Sequence, residues 1–362
     1  MKFIDEYRAP SLIRGLLAAL TREAARIDRK VTLMEVCGTH TSAIGRFGLK
    51  TLFPPKIRLV SGPGCPVCVT SVPDVDKALF IAGQPDVIFA TFGDMLRVPG
   101  SGGESLQKLR ARGADIRVVS SAAQVAEFAR ENPARRIILM GIGFETTAPT
   151  MAASVLSWRR KDITNAYLLS VHKLVPPALK ALISDEELSI DGFICPGHVS
   201  TITGIAAYSA ITDAGKAAVI TGFEPADILE GMLMILKQVA ENRSEIEIQY
   251  SRGVDREGNP RARQVMDSVF QAVDAQWRGL GLIPGSGLGL REEFASYDAD
   301  GCFEMPQFKS AEPKGCSCGE ILRGIREPRE CPLFRISCTP STPVGPCMVS
   351  SEGTCAAHYK YG

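Results

Sequence analysis

Between residues 31 and 250 the chain repeats one pattern: a short apolar run, a turn, then a segment of helical spacing. Nine such runs occur, at 31–36, 57–60, 86–91, 116–119, 136–140, 166–171, 192–195, 216–221 and 245–250. Short apolar runs alternating with helices indicate a parallel, doubly wound sheet, because parallel strands need crossover helices and bury both faces. A chain of 362 residues is also too long for one ordinary core. The expected architecture is α/β, with two similar doubly wound lobes whose parallel sheets face each other. Residues 1–30 read as a helical segment, 31–135 as the first lobe and 136–252 as the second. Residues 253–362 read as a helix, Asp267 to Trp277, followed by an irregular cysteine-rich domain.

The two lobes read as a diverged duplication at an offset of about 130 residues. The run ending at His40 matches the run ending at His172. Pro63-Gly64-Cys65 matches Pro196-Gly197-His198, and Phe92-Gly93-Asp94 matches Gly222-Phe223-Glu224. The competing explanation is that any two strand–helix–strand units look alike. Functional residues in open α/β sheets collect at the carboxyl ends of strands, where all these landmarks lie.

Composition bounds the chemistry. Hydrophobic content of 45%, charged content of 22% and a net charge of +1 describe a soluble globular chain. That balance gives no reason to expect nucleic acid or an anionic membrane as partner. No apolar run approaches the roughly 20 residues of a membrane span. The stretch Met1 to Arg8 is charged and has no signal-peptide core, so a cytoplasmic location is expected. There thiols stay reduced, and the 11 cysteines point to metal binding, an iron–sulfur cluster or thiol redox chemistry.

Six of those cysteines, Cys316, Cys318, Cys331, Cys338, Cys347 and Cys355, fall within 40 residues of mostly Cys, Pro, Gly and Ser. A segment without periodicity needs something besides an apolar core to hold it. Four thiolates holding a [4Fe–4S] cluster would do so and would leave two thiols beside a one-electron centre. Zinc is the competing reading, but the segment lacks the paired C-x-x-C knuckles zinc prefers.

Two further thiols stand at C-x-x-C spacing in Cys65-Pro66-Val67-Cys68, after a strand and before a helix start, where a helix N-terminus favours thiolate. The bland reading is a tight turn with inert thiols. Cys37-Gly38-Thr39-His40 places a soft and a borderline ligand three residues apart, suited to a transition metal or a nucleophile–base pair. A lone histidine at a strand end is more often structural, and the duplication is what brings this loop to the cleft of Cys65 and Cys68. His198, Glu145, Glu224 and Asp94 also stand at strand ends, and for the acids capping the following helix is the expected role. Cys195 reads as packing and the role of His172 is open. Gly285-Ser286-Gly287-Leu288-Gly289 reads as a loop rather than a dinucleotide fingerprint, and no G-K-[ST] phosphate loop exists.

Together these motifs resemble the HypD family of hydrogenase maturation factors. The resemblance is carried by Cys37-Gly38-Thr39-His40, Gly62-Pro63-Gly64-Cys65-Pro66-Val67-Cys68, Gly143-Phe144-Glu145-Thr146-Thr147, Pro196-Gly197-His198, and the tail from Cys316-Ser317-Cys318-Gly319-Glu320 to Cys355. It implies two facing α/β lobes plus an iron–sulfur lobe, and a scaffold on which an iron ion receives two cyanides and one carbon monoxide. A HypC-type small protein is the implied co-scaffold and a HypE-type protein the implied cyanide donor. By the same resemblance Cys37 is the thiolate on iron, with Cys65 and Cys68 as further ligands or a redox pair and His40 and His198 as support. The family pattern gives Cys316, Cys331, Cys338 and Cys355 to the cluster and leaves Cys318 and Cys347 as a thiol pair. The alternative is an enzyme, an iron–sulfur thiol–disulfide reductase acting on a protein through Cys65 and Cys68. A third, weaker alternative is a nucleotide-dependent enzyme using the Gly-rich turns.

Overall fold

The computed structural model describes residues 4–362; the first three residues of the charged N-terminal stretch lie outside the described residues. Nine parallel strands form two sheets: β1 (Val31–Glu35), β2 (Ile57–Ser61), β3 (Val87–Thr91), β4 (Ile116–Val118), β5 (Arg136–Gly141), β6 (Ala166–Ser170), β7 (Gly192–Pro196), β8 (Ala217–Thr221) and β9 (Ile246–Ile248). One sheet has the order β2-β1-β7-β8-β9 and the other β4-β3-β5-β6. The central strands β3, β7 and β8 are buried at every position, whereas the edge strand β9 is half-buried throughout. That is the burial expected of a sheet covered by helices on both faces.

The lobes are not consecutive in the chain. The lobe of β3 to β6 is inserted between β2 and β7, so the division expected near residue 135 does not separate the sheets. Taken in chain order within each sheet, both lobes run second, first, third, fourth, and only the larger adds a fifth strand. The lobes are therefore alike, but β1 corresponds to β3 and β7 to β5. The pairing of His40 with His172 and of Cys65 with His198 does not hold. It fails because linear spacing assumes tandem units, and this repeat is nested. The consequence is specific: the strand order reverses between β1 and β7, whose carboxyl ends carry Cys37 and His198. Such a switch point opens a crevice at the strand ends.

The remainder departs from expectation in one place. The helix expected at 267–277 ends earlier, as Pro260–Val269, and the chain then extends into β10 (Phe270–Trp277), paired antiparallel with β11 (Gly281–Leu290). The glycine run 285–289, expected as a loop, lies inside β11. A Cβ at Gly287 would stand 2.8 Å from the Ala275 Cβ, and one at Gly289 would stand 2.9 Å from a Val273 methyl. Glycine there lets two strands approach closely around buried side chains. Trp277, at the end of β10, is buried with Phe144, Met34, Val60, Cys65, Cys68 and the tail cysteines in one core, which joins both lobes to the tail. Polar contacts pin the tail to both lobes as well: Lys50 pairs with Glu327 at 2.7 Å, and Arg97 donates to the carbonyls of Pro340 and Val349.

Candidate thiol and metal site

Cys37 directly precedes the helix Gly38–Arg46 at the mouth of the switch-point crevice. Its amide donates to Glu35 Oε2 at 3.0 Å, and Glu35 also accepts from the Thr41 hydroxyl, so a buried carboxyl sets the turn. Opposite it lies the turn that leads to Cys65. Gly38 N–H donates to the Gly64 carbonyl at 2.8 Å, and a Cβ on Gly64 would fall 2.2 Å from the Cys37 nitrogen. Only glycine permits that approach. Cys65 then caps the short helix Pro66–Val69 with its sulfur, accepting from Cys68 N–H at 3.4 Å, and Pro66 occupies the first helical position.

His40 is fully buried in the helix that Cys37 starts. Its Nε2 donates to the carbonyls of Gly222, at 2.9 Å, and Thr221, while Nδ1 has no partner. Phe223 lies between two imidazoles, stacked on His40 at 4.8 Å and on the more exposed His198 at 4.0 Å. Glu352, from the tail, closes this side: its Oε1 accepts from the Thr39 hydroxyl at 2.8 Å, and its Cβ lies where a side chain on Gly38 would go.

The second group of thiols meets the first at Cys68. Cys68 is wholly buried against Cys347, which follows Pro346 in the tail. The sulfurs of Cys347 and Cys318 are 2.9 Å apart. Cys316, Cys318, Cys331, Cys338, Cys347 and Cys355 line one small cavity together with Ile321, Phe334 and Met348. Gly345 closes it, since a Cβ there would stand 2.7 Å from the Cys316 sulfur. Val344 N–H donates to the Cys338 sulfur at 3.3 Å.

Burial controls the charge state of these groups. It pushes the Cys37 thiol up to about 12, against the pull of the His40 and Thr39 amides, and it raises Cys68 as well. At Cys316, the hydrogen bond to Cys318 and then burial raise the thiol. The hydrogen bond with Cys316 lowers Cys318, but its bond with Cys347 and burial outweigh that; the bond with Cys318 lowers Cys347, but its bonds with Cys355 and Cys68 and burial outweigh that, so both thiols are raised. Burial lifts Glu35 to about 7 and drops His40 to about 4. Cys37, Cys68, Cys318 and Cys347 are therefore held as neutral thiols and His40 as a neutral imidazole at pH 7, and a bound cation is what would convert those thiols to thiolates. Among the described residues, no group of three His, Cys, Asp or Glu side chains stands in preformed metal-ligand geometry.

Thus the fold brings the Cys37 and Cys65 turns together, joins Cys68 to the tail thiols, and sets His40 and His198 on either side of Phe223. Other expected residues stand apart. Glu224 stands at the N-cap position of the helix Pro225–Ala240, but its carboxylate pairs with Arg8 while its amide donates to Asp227 at 3.1 Å. Glu145 is buried and accepts from Val175 N–H at 2.9 Å, so it serves a different helix from the one that follows it, with its second oxygen unpartnered. His172 is buried on Ser170, Asp94 lies second in the short helical turn Gly93–Arg97, and Cys195 is sealed within β7. Sequence reasoning missed Glu35, Phe223, Glu352 and Arg278. Glu35 carried the one available signal, a lone carboxylate two residues before Cys37 in an apolar strand.

Comparison with known proteins finds matches along nearly the whole chain. The family model described as HypD, hydrogenase formation hypA family, matches residues 11–362. The chain is 44% identical to the hydrogenase maturation factor HypD2 of Bradyrhizobium diazoefficiens, covering 100% of this chain and 97% of that one. It is 43% identical to the hydrogenase maturation factor HypD of Escherichia coli, over 100% and 98%, and 42% identical to that of Cupriavidus necator, over 100% and 97%. No helix among the described residues is long and apolar enough to cross a membrane. The chain belongs to the HypD family of hydrogenase maturation factors.

Proposed function

We propose that this chain is the scaffold on which an iron ion receives cyanide and carbon monoxide before delivery to a [NiFe]-hydrogenase. It would work with a HypC-type small protein and a HypE-type cyanide donor. The observation that carries the reading is the continuity of sulfur. The Cys37 turn is hydrogen-bonded to the Cys65 turn, Cys68 abuts Cys347, and Cys347 lies 2.9 Å from Cys318. The cargo iron is held by Cys37, with Cys65 and Cys68 as further ligands or as a dithiol. Thiolates suit an iron ion carrying cyanide and carbonyl because they are soft donors. His40 and Glu35 fix the backbone of the Cys37 turn, and His198 and Glu352 flank its open side.

The six tail thiols fit a [4Fe–4S] cluster by donor chemistry. Cys316, Cys331, Cys338 and Cys355 would hold it, and when bound it would supply electrons one at a time. Releasing cyanide from a thiocyanate breaks a carbon–sulfur bond, consumes two electrons, and returns a thiol on the donor. Closing a Cys318–Cys347 or Cys65–Cys68 disulfide yields the two electrons and two protons: one proton completes the donor thiol and the other passes to solvent as cyanide binds iron as the anion.

The thiol–disulfide reductase is the second reading, favoured by the contact of Cys68 with Cys347. Iron analysis of variants purified anaerobically with the small partner separates the two. On the scaffold reading Cys37→Ala loses the cargo iron while the tail iron and sulfide remain. A Cys37→Ala variant that keeps all its iron and reduces a disulfide substrate at the wild-type rate supports the reductase instead.

A further inference from the structure

We propose that Arg278 is a positioning residue that supplies the counter-charge to the tail's iron–sulfur group and holds that group against the Cys65–Cys68 turn. The inference rests on the cluster reading above and extends it to a residue outside the cysteine set.

Arg278 follows β10 and is almost completely buried. Its amide donates to the Val69 carbonyl at 2.9 Å and its Nε to the Thr70 carbonyl at 3.0 Å, so it clamps the end of the helix that carries Cys68. One terminal nitrogen pairs with Glu312 at 2.9 Å, and that carboxylate is 53% exposed. The other terminal nitrogen is buried without any partner. The next residue, Gly279, is packed so closely on Gly319 that a Cβ would lie 2.5 Å from its Cα. Arg278 and Gly279 together therefore bridge the end of the Cys68 helix and the residue after Cys318.

A structural clamp alone does not account for this arrangement. A buried guanidinium is costly unless its charge and its donors are satisfied, and buried polar groups in native proteins are rarely left unpaired. Among the described residues one half-exposed carboxylate is the only counter-ion, and a two-proton donor remains. The acceptor that suits it is an anionic sulfur. A cluster ligated by four thiolates carries net negative charge, and charge and hydrogen bonding around its sulfurs set its reduction potential. One-electron reduction adds a further negative charge, which a neighbouring guanidinium stabilises. Removing that cation makes the cluster harder to reduce.

The test uses the full chain purified anaerobically. Iron and sulfide are assayed, and the cluster is then titrated with dithionite, an external one-electron donor, while its paramagnetic reduced form is followed by EPR. Arg278→Gln is expected to shift the midpoint to a more negative potential, Arg278→Lys to lie between it and wild type, and Glu312→Gln to shift in the positive direction. Loss of the cluster from Arg278→Gln, with retention in Arg278→Lys, also supports a requirement for the charge. A loaded Arg278→Gln protein with the wild-type midpoint overturns the proposal and leaves the cluster reading standing. Wild-type protein without iron and sulfide overturns both.

Discussion

The sulfurs of Cys318 and Cys347 lie 2.9 Å apart at a point where Cys347 has no exposed surface and Cys318 almost none. The neighbour that leads from this pair toward the Cys37 crevice is Cys68, itself fully buried. Electrons stored there would pass through sulfur contacts rather than through solvent.

Mild oxidation of the folded protein is accordingly expected to join Cys318 to Cys347 before any other tail pair. Peptide mapping by mass spectrometry reads this as a loss of two hydrogens from the linked peptides. A first disulfide between Cys331 and Cys338 would contradict the pairing.

Gly64→Ala is expected to damage the site from outside it. The new Cβ would fall 2.2 Å from the Cys37 nitrogen and 2.4 Å from its Cα, and backbone cannot swing aside. A destabilisation of about 1–3 kcal/mol in urea unfolding is expected, with weaker iron retention. Gly15→Ala, in the helix Pro10–Ala25 with nothing within 4 Å of the new atom, serves as control and is expected to stabilise by about 0.5–1 kcal/mol.

Glu145 gives a pH signature away from the sulfur. Burial raises its carboxyl from 4.5 to about 7, so the folded chain binds this proton more tightly than the unfolded chain does. Its contribution to stability is complete below about pH 4.5 and is lost as pH rises to about 7, a change on the order of 3 kcal/mol. Glu145→Gln removes that loss, so its stability relative to wild type should grow between pH 5 and 8. Parallel stability curves for the two proteins would count against a buried, raised carboxyl. Taking the difference cancels His172, whose depressed pKa of about 3 acts in the opposite sense.

Metal loading should be coupled to proton release, because burial holds the Cys37 and Cys68 thiols neutral in the metal-free chain. Iron affinity is expected to rise about tenfold per pH unit for each thiol proton displaced. Calorimetric titrations in buffers of differing ionisation enthalpy measure the protons released. Zero release would mean that thiolates pre-exist, contrary to the burial of Cys37 and Cys68.

Much of this was legible in the sequence, for identifiable reasons. Strands such as Val87–Thr91 and Ala217–Thr221 are continuous apolar runs because both faces are covered, and Ser71, with an acid three residues on, caps its helix by accepting from Asp74 N–H at 3.2 Å. The nesting of one lobe in the other was not legible. Strand order depends on which of several similar strands pair, and spacing along the chain does not encode it. Phe270–Trp277 read as helix because its apolar positions fit either period, and pairing with β11 decided the outcome. Glu352 and Arg278 were invisible because each acts on a partner far away in the chain, Thr39 and Thr70 respectively. Nothing local to either residue marks that role.

The most direct test of the scaffold is infrared spectroscopy of the anaerobic protein co-purified with its HypC-type partner. Cyanide and carbonyl stretches fall in a window where protein does not absorb. Bands from both ligands are expected in the wild-type complex and should vanish in Cys37→Ala. A wild-type complex loaded with iron but silent in that window, or a Cys37→Ala complex retaining the bands, would contradict the assignment of this chain as the site of ligand assembly.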